Sequence, residues 1–189
     1  FEGVAGQPLE DVTMTEELAE TYGAALGKLH QLSLLYVSPI RRRNEQTLLA
    51  WIEKTLHRHA APRHMLACRE EIARQLAALS PSPNNYGLIH YDFEPDNVFW
   101  NGETCSVIDF EDGMLHFYAA DVVQALDELP ETFHPAFLRG YRQTSPDVHM
   151  EERDFPLMRT FRDLYSYARL LHCLSEKPSP LPEWMPRLI

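Results

Sequence analysis

Residues 87–100 read Gly87-Leu88-Ile89-His90-Tyr91-Asp92-Phe93-Glu94-Pro95-Asp96-Asn97-Val98-Phe99-Trp100. Apolar and aromatic residues at both ends of this stretch favour β-strands, and the polar centre is typical of a loop. A third apolar run, residues 107–110, follows the dipeptide Asn101-Gly102, which favours hairpin turns. The sequence therefore predicts strands at residues 86–91, 98–100 and 107–110, with a polar loop after the first and a tight turn after the second.

Oxygen-bearing side chains concentrate in the loop and on the third strand. The loop carries Asp92, Glu94, Asp96 and Asn97, and the third strand returns Asp109 towards them. Carboxylate and amide oxygens are the ligands that Mg²⁺ prefers. The order His-x-Asp-x-x-x-x-Asn, followed after a hairpin by Asp-Phe, is that of the catalytic and metal loops of protein kinases. Turn capping by Asp and Asn is the structural alternative, but the joint pattern is much rarer than its parts.

The residues around this pattern resemble a particular branch of the kinase fold, the aminoglycoside phosphotransferase and choline kinase-like family. Its signature loop is similar to Ile89–Val98, and its next strand ends like Val107-Ile108-Asp109-Phe110-Glu111. The chain departs from the family at Tyr91, where Gly is usual, and at Phe93-Glu94, where Leu and His are common. The three oxygen-bearing positions are unchanged.

The resemblance implies an ATP-dependent phosphotransferase with Mg²⁺ as cofactor. It would transfer the γ-phosphate to a hydroxyl of an aminoglycoside, a choline-like alcohol or a related small acceptor. Asp92 is the expected catalytic base, and Asn97 and Asp109 are the expected metal ligands. Glu111 is a further candidate metal ligand if its strand continues, because it would then share a face with Asp109.

Three other residues are candidates for supporting roles. His90 is expected to hold the shape of the loop. Asp121 lies near the start of a predicted helix, where the family has an Asp that braces the loop, and a plain helix cap is the alternative. Trp51 is a candidate substrate contact, because the family builds its acceptor pocket from the region that contains it.

The expected fold is mainly α with a small antiparallel β-hairpin system, namely the C-terminal lobe of a protein-kinase-like fold. Apolar periodicity predicts helices at about residues 14–32, 117–129, 132–143 and 154–175, with two more between residues 44 and 80. Gly23 and Gly27, one turn apart, predict close helix packing. We expect residues 1–12 to be a hinge segment, residues 13–176 the helical lobe with its site at 86–112, and residues 177–189 a Pro-rich tail.

Composition narrows the class of partner. The 189 residues carry a net charge of −11, which argues against nucleic acids and anionic membranes as partners. Three cysteines, far apart and odd in number, predict no disulfide framework and favour the cytoplasm. No apolar run is long enough to predict a membrane span.

The sequence lacks two parts that kinase catalysis uses. It has no Gly-x-Gly-x-x-Gly loop, and none of its three lysines, Lys28, Lys54 and Lys177, follows a predicted strand. We therefore expect an N-terminal kinase-like lobe as the partner of this chain, and no activity from the chain alone. A metal-dependent hydrolase and a non-catalytic kinase-like binding module are the alternatives, and the sequence leaves the acceptor and the choice of ATP or GTP open.

Overall fold

The computed structural model describes residues 3–176. These residues form two compact units, one from residues 3–43 and 81–155 and the other from residues 44–80 and 156–176. The predicted tail at residues 177–189 lies outside the described residues, as do Phe1 and Glu2 of the predicted hinge. In chain order, the strands and α-helices are β1 (Gln7–Pro8), α1 (Glu16–Ser33), α2 (Glu45–Arg58), α3 (Arg63–Ala78), β2 (Tyr86–Ile89), β3 (Val98–Trp100), β4 (Cys105–Val107), β5 (Met114–Phe117), α4 (Ala119–Asp127), α5 (His134–Thr144) and α6 (Phe155–Glu176).

The mainly helical fold with small antiparallel sheets is confirmed. The ends of α1, α4, α5 and α6 lie within two residues of their predicted positions. The two helices predicted between residues 44 and 80 are α2 and α3. None of the helices in the described part of the chain is long and apolar enough to cross a membrane.

The predicted hairpin is present, but its second strand begins earlier than predicted. Strands β3 and β4 pair with Val98 opposite Val107 and Trp100 opposite Cys105. The side-chain oxygen of Asn101 accepts hydrogen bonds from the backbone N–H groups of Glu103 and Thr104, at 3.0 and 2.9 Å. The turn therefore spans four residues. The prediction of a strand at 107–110 was wrong, because the turn closes at Thr104 and the strand occupies Cys105–Val107.

Strand β5 was not predicted. It pairs antiparallel with β2, with Ile89 opposite Met114 and Tyr86 opposite Phe117. Sequence analysis assigned Phe117 to the start of a helix, whereas helix α4 begins at Ala119. The sheet of β2 and β5 sets where the loop after Ile89 begins. A second sheet has the strand order β1-β3-β4, so the segment at Gln7–Pro8 is extended and pairs with the hairpin.

Close packing of α1 on α5 builds the larger unit. A Cβ atom added at Gly23 would lie 2.0 Å from the Phe137 carbonyl oxygen, and one at Gly140 would lie 1.9 Å from that of Glu20. Only glycine permits backbones to approach this closely, which confirms the packing role predicted for Gly23. The core beneath includes Phe93 of the loop, whose ring stacks on Tyr22 at 4.9 Å. The loop is therefore anchored in the core of its unit.

The smaller unit contains α2, α3 and most of α6. Asn44 caps α2. Its side chain accepts a hydrogen bond from the Thr47 N–H at 2.9 Å, and its own N–H donates to the Thr47 hydroxyl at 2.9 Å. This reciprocal pair satisfies two donors at the helix start and fixes where the helix begins.

Candidate active site

The loop after β2 turns back into the hairpin through one short helical turn, Pro95–Asn97. The carbonyl oxygen of Asn97 then accepts a hydrogen bond from the N–H of Ile108 at 3.0 Å. Ile108 directly precedes Asp109. The backbone therefore connects the end of the loop to the residue before Asp109, across the hairpin.

The side chain of Asn97 holds Asp92. Its amide nitrogen donates to the Asp92 carboxylate at 2.9 Å and to the Asp92 backbone carbonyl at 3.0 Å. Because the nitrogen is committed to Asp92, the amide oxygen points to the opposite side of the group. Asp92 is thus oriented by one neighbour, and that neighbour keeps an oxygen that can bind a cation.

The carboxyl group of Asp92 is half-buried and lies in an acidic environment. Burial raises its pKa, and the negative charge of Glu94 raises it further, followed by that of Asp112. The hydrogen bond from Asn97 acts in the opposite direction. A carboxylate with a raised pKa is a better proton acceptor than a solvated one, which suits a general base.

Asp109 lies beyond the end of β4 in an unusual backbone conformation. Its φ is +59°, and its carboxylate accepts a long hydrogen bond of 3.4 Å from the Glu111 N–H. The side chain is exposed. Because β4 ends at Val107, the alternation that would have placed Glu111 on the face of Asp109 does not apply.

The donor set fits a magnesium site that is completed by a substrate. Within residues 3–176, no three His, Cys, Asp or Glu side chains group together as a metal site. Mg²⁺ usually takes only one or two protein carboxylates, with phosphate oxygens and waters as its other ligands. The Asn97 amide oxygen and the exposed Asp109 carboxylate are oxygen ligands of the kind that such a site uses.

Asp121, buried in the first turn of α4, accepts hydrogen bonds from the loop backbone. The N–H groups of His90 and Tyr91 donate to its two oxygens at 2.7 and 2.8 Å, and His30 Nε2 lies 3.1 Å from it. No side-chain hydrogen bond caps the start of α4, where Tyr118 is the N-cap residue. The contacts of Asp121 are therefore with the loop rather than with the end of its own helix.

His90 joins the loop to the residue before Asp109. Its Nε2 lies 2.8 Å from the Ile108 carbonyl oxygen, and since a carbonyl only accepts, Nε2 donates. The side chain is fully buried and its ring lies 4.7 Å from the ring of Phe110. This position is consistent with the support predicted for His90.

Tyr91 occupies the position where the resembled family usually has Gly, and its backbone shows why. Its φ is +64°, in the left-handed region that aromatic residues rarely adopt. The Tyr91 N–H donates a hydrogen bond to the Asp121 carboxylate. The Tyr91 ring stacks nearly parallel to the ring of His116, with a centroid distance of 6.0 Å. Burial lowers the pKa of His116 to about 4, so this ring is neutral near pH 7. Strained residues of this kind persist where surrounding contacts over-determine them, often at functional sites.

Sequence analysis missed several side chains that hold the loop in place through hydrogen bonds. The Tyr22 hydroxyl donates to the Phe93 carbonyl oxygen at 3.0 Å, and the Gln124 amide donates to the Glu94 carboxylate at 2.9 Å. His30, which bonds to Asp121, also has Nδ1 2.8 Å from the Tyr141 hydroxyl. Only His30 carried a local signal, because it ends the Leu-Gly-Lys-Leu-His segment of α1.

Trp51 lies in the smaller unit. Its half-buried ring packs against Tyr165 and His172 of α6, with centroid distances of 5.8 and 5.7 Å. Part of the ring is therefore committed to packing within its unit. Its predicted contact with a substrate stays a prediction.

Comparison with known proteins places this geometry among phosphotransferases. Residues 1–156 match the model of a family described as the phosphotransferase enzyme family. The homoserine kinase of Caulobacter vibrioides strain NA1000 is 33% identical over 150 residues, which cover 72% of this chain and 47% of that protein. The homoserine kinase of Beijerinckia indica is 33% identical over 178 residues, which cover 82% of this chain and 54% of that protein. The chain thus spans about half the length of these two relatives.

A solved structure shares the fold. An amicoumacin kinase in complex with AMP-PNP, Ca²⁺ and Ami superposes with a TM-score of 0.75 at 19% identity, covering 99% of this chain and 60% of that one. At this identity the likeness shows the fold alone. The architecture is that of the protein-kinase-like phosphotransferases.

Proposed function

Because the chain belongs to the phosphotransferase enzyme family, we propose that it carries the catalytic lobe of an ATP-dependent kinase for a small alcohol. The observation that carries this proposal is the pair formed by Asp92 and Asn97, together with the backbone bond from Ile108 to Asn97. One short loop thereby presents an oriented carboxylate next to an amide oxygen, and it is tied to the residue before Asp109. Phosphoryl transfer needs these parts: a group to orient the hydroxyl and oxygens to hold a metal.

Asp92 is the proposed general base. Its carboxylate would accept a hydrogen bond from the acceptor hydroxyl and take up the proton as the oxygen attacks the γ-phosphate. Its raised pKa favours that uptake, and the two hydrogen bonds from Asn97 keep it in one orientation. A fixed geometry contributes to the rate because the attacking oxygen and the phosphorus must lie in line.

Asn97 and Asp109 are the proposed ligands of the metal ion, which we propose to be Mg²⁺. When bound, such an ion neutralises charge on the phosphates of the nucleotide. The chain's own contribution is to present the ligands. The Asn97 amide oxygen is oriented because the nitrogen is held by Asp92, and the Asp109 carboxylate is exposed at a fixed turn.

For the acceptor, we propose a small amino alcohol such as homoserine. Two relatives at 33% identity are named homoserine kinase, and an alignment over 72% of this chain necessarily includes the central part that holds the catalytic loop. Charge near the base supports the choice. Glu94 and Asp112 both lie close enough to Asp92 to raise its pKa, so the site favours an acceptor that carries a positive charge.

The test is a phosphoryl-transfer assay on the full-length protein that contains this chain. Homoserine, choline and an aminoglycoside would be offered with ATP and Mg²⁺, and the phosphorylated product identified by mass spectrometry. We expect homoserine to be phosphorylated, and Asp92→Asn protein to show no product above background. Phosphorylation of choline or the aminoglycoside alone would retain the kinase and overturn the acceptor. Release of phosphate from a substrate with no nucleotide present would favour a hydrolase instead.

A further inference from the structure

A continuous set of buried hydrogen bonds connects helix α5 with the catalytic loop. The Tyr141 hydroxyl lies 2.8 Å from His30 Nδ1, and His30 Nε2 lies 3.1 Å from the Asp121 carboxylate. Asp121 in turn accepts from the backbone N–H groups of His90 and Tyr91. Tyr141 is 1% exposed, and His30 and Asp121 are 0% exposed. The steps from Tyr141 to His30 and from His30 to Asp121 are therefore shielded from water.

For a neutral His30, the donors and acceptors in this set have one consistent arrangement. An ionised carboxylate only accepts, so His30 Nε2 donates to Asp121. A neutral imidazole has one N–H group, so His30 Nδ1 accepts and the Tyr141 hydroxyl donates to it. Burial raises the pKa of the Tyr141 hydroxyl, and the charge of Asp121 raises it further, so the hydroxyl keeps its proton. Tyr141 thus supplies the donor that the Nδ1 lone pair needs, and it holds the ring against Asp121.

We propose that Tyr141 is a positioning residue for phosphoryl transfer, because its hydroxyl holds the His30 imidazole against Asp121, which in turn holds the loop in its catalytic conformation. This rests on the proposed function. Without the hydroxyl, His30 Nδ1 becomes a buried acceptor with no donor. If the proton moved to Nδ1, the lone pair of Nε2 would face the carboxylate of Asp121.

The loop is sensitive to such a change because Tyr91 is strained. Its φ of +64° is held by the hydrogen bond from its N–H to Asp121, and Asp92 is the next residue. A shift of Asp121 therefore acts on the backbone directly before the proposed base. The influence on the proposed base therefore begins in α5, at Tyr141. This residue is 111 positions from His30 in sequence.

Tyr118 offers a matched control. Its side chain is fully buried and its ring lies 4.6 Å from the ring of His30. Its hydroxyl, however, donates to the Ser33 hydroxyl at 3.3 Å and not to the imidazole. Tyr118→Phe therefore removes a buried hydroxyl beside His30 without removing the donor to Nδ1.

The experiment compares Tyr141→Phe and Tyr118→Phe in the full-length protein at equal folded fraction, which circular dichroism would establish. Histidine labelled with ¹⁵N reports the His30 tautomer by NMR, independently of activity. We expect Tyr141→Phe to shift the His30 nitrogen signals and to lower kcat about tenfold or more, with KM for ATP nearly unchanged. Tyr118→Phe is expected to match the wild type in both measurements.

The outcomes separate this proposal from the one on which it rests. An active wild type with an unaffected kcat in Tyr141→Phe would overturn the role of Tyr141 and leave the proposed function intact. Equal losses in the two variants would also overturn it, since they would indicate a general effect of core packing. An inactive wild type would overturn the proposed function, and the catalytic role of Tyr141 with it.

Discussion

The side-chain amide of Asn97 donates to both the carboxylate and the backbone carbonyl of Asp92, at 2.9 and 3.0 Å. One side chain therefore orients the proposed base and directs its own oxygen to the opposite side. In the proposed mechanism, the base and a metal ligand form one rigid unit. In that mechanism the two functions are nevertheless separable by mutation, because Asp109, a proposed metal ligand outside this pair, would act on the metal, whereas Asp92 would act on the hydroxyl.

Asp92→Asn is expected to lower kcat by about 10²–10⁴-fold, the usual contribution of a general base. Asparagine keeps the size and the acceptor oxygen that Asn97 contacts, but it cannot take up the proton. Isothermal calorimetry should show nearly unchanged affinity for MgATP in the full-length protein. Asp96→Asn is the control, since Asp96 is exposed in the same loop. A parallel loss of nucleotide affinity in Asp92→Asn would contradict its assignment as a base.

Asp109→Asn is expected to abolish metal-dependent nucleotide binding. Asparagine tolerates the positive φ of this position, so the backbone turn is retained while the charged ligand is lost. Calorimetry with ATP, in the presence and absence of Mg²⁺, measures the effect. If the variant bound MgATP as tightly as the wild type does, Asp109 would not be a metal ligand.

Glu94→Gln is expected to move the acid limb of the pH–rate profile to lower pH. The charge of Glu94 is one of the causes that raise the pKa of Asp92, so its removal lowers that pKa. The base must be ionised to act, and activity therefore persists to lower pH in the variant. The measurement is kcat/KM against pH, with Glu103→Gln in the exposed hairpin turn as control. An acid limb that stays at the same pH, or moves to higher pH, would contradict this electrostatic explanation.

Gly140→Ala is expected to reduce the free energy of unfolding by about 1–3 kcal/mol, as overpacking generally does. The added Cβ would meet the Glu20 carbonyl oxygen at 1.9 Å, and a backbone atom cannot move aside as a flexible side chain does. Urea denaturation followed by circular dichroism provides the value. Gly3→Ala serves as control, because nothing lies within 4 Å of its added Cβ. Similar stabilities of the two variants would show that α1 and α5 separate easily.

The 189-residue chain by itself is expected to bind nucleotide weakly and to show no meaningful transfer. It contains no Gly-x-Gly-x-x-Gly loop, and neither Lys28 nor Lys54 lies on a strand, since both are within helices. A site left open to water stabilises charge poorly, because the effective dielectric is high. The assay compares this chain with the full-length protein at equal concentration. Turnover at the roughly 1–100 s⁻¹ typical of kinases in the short chain would remove the need for a second lobe.

The loop and hairpin were accessible from sequence because their signals are local. Residues 86–110 alternate strand-forming runs with turn-forming residues, and the Asn101-Gly102 dipeptide marks the reversal. The detailed register was not accessible. It depends on the Asn101 side chain, which closes a four-residue turn. The strand after this turn therefore ends earlier than predicted, and Glu111 does not lie on it.

Features that depend on distant partners were out of reach. Strand β5 is a run of only four residues whose partner, β2, precedes it by more than twenty positions. The left-handed conformation of Tyr91 opposes the local preference of an aromatic residue, and the carboxylate that binds its N–H, Asp121, is 30 residues away. No periodicity within one helix indicates that His30 meets Tyr141.

The pairing of His30 with Tyr141 also has a consequence for biosynthesis. The two residues are 111 positions apart, so a ribosome that adds about 5–20 residues per second takes roughly 6–22 seconds to pass from one to the other. The loop that follows β2 is made within that interval, before the helix that carries Tyr141. The glycine-lined face of α1 is then uncovered as well. A nascent chain at this stage presents an apolar surface to chaperones, and a translational pause before residue 141 would prolong that exposure.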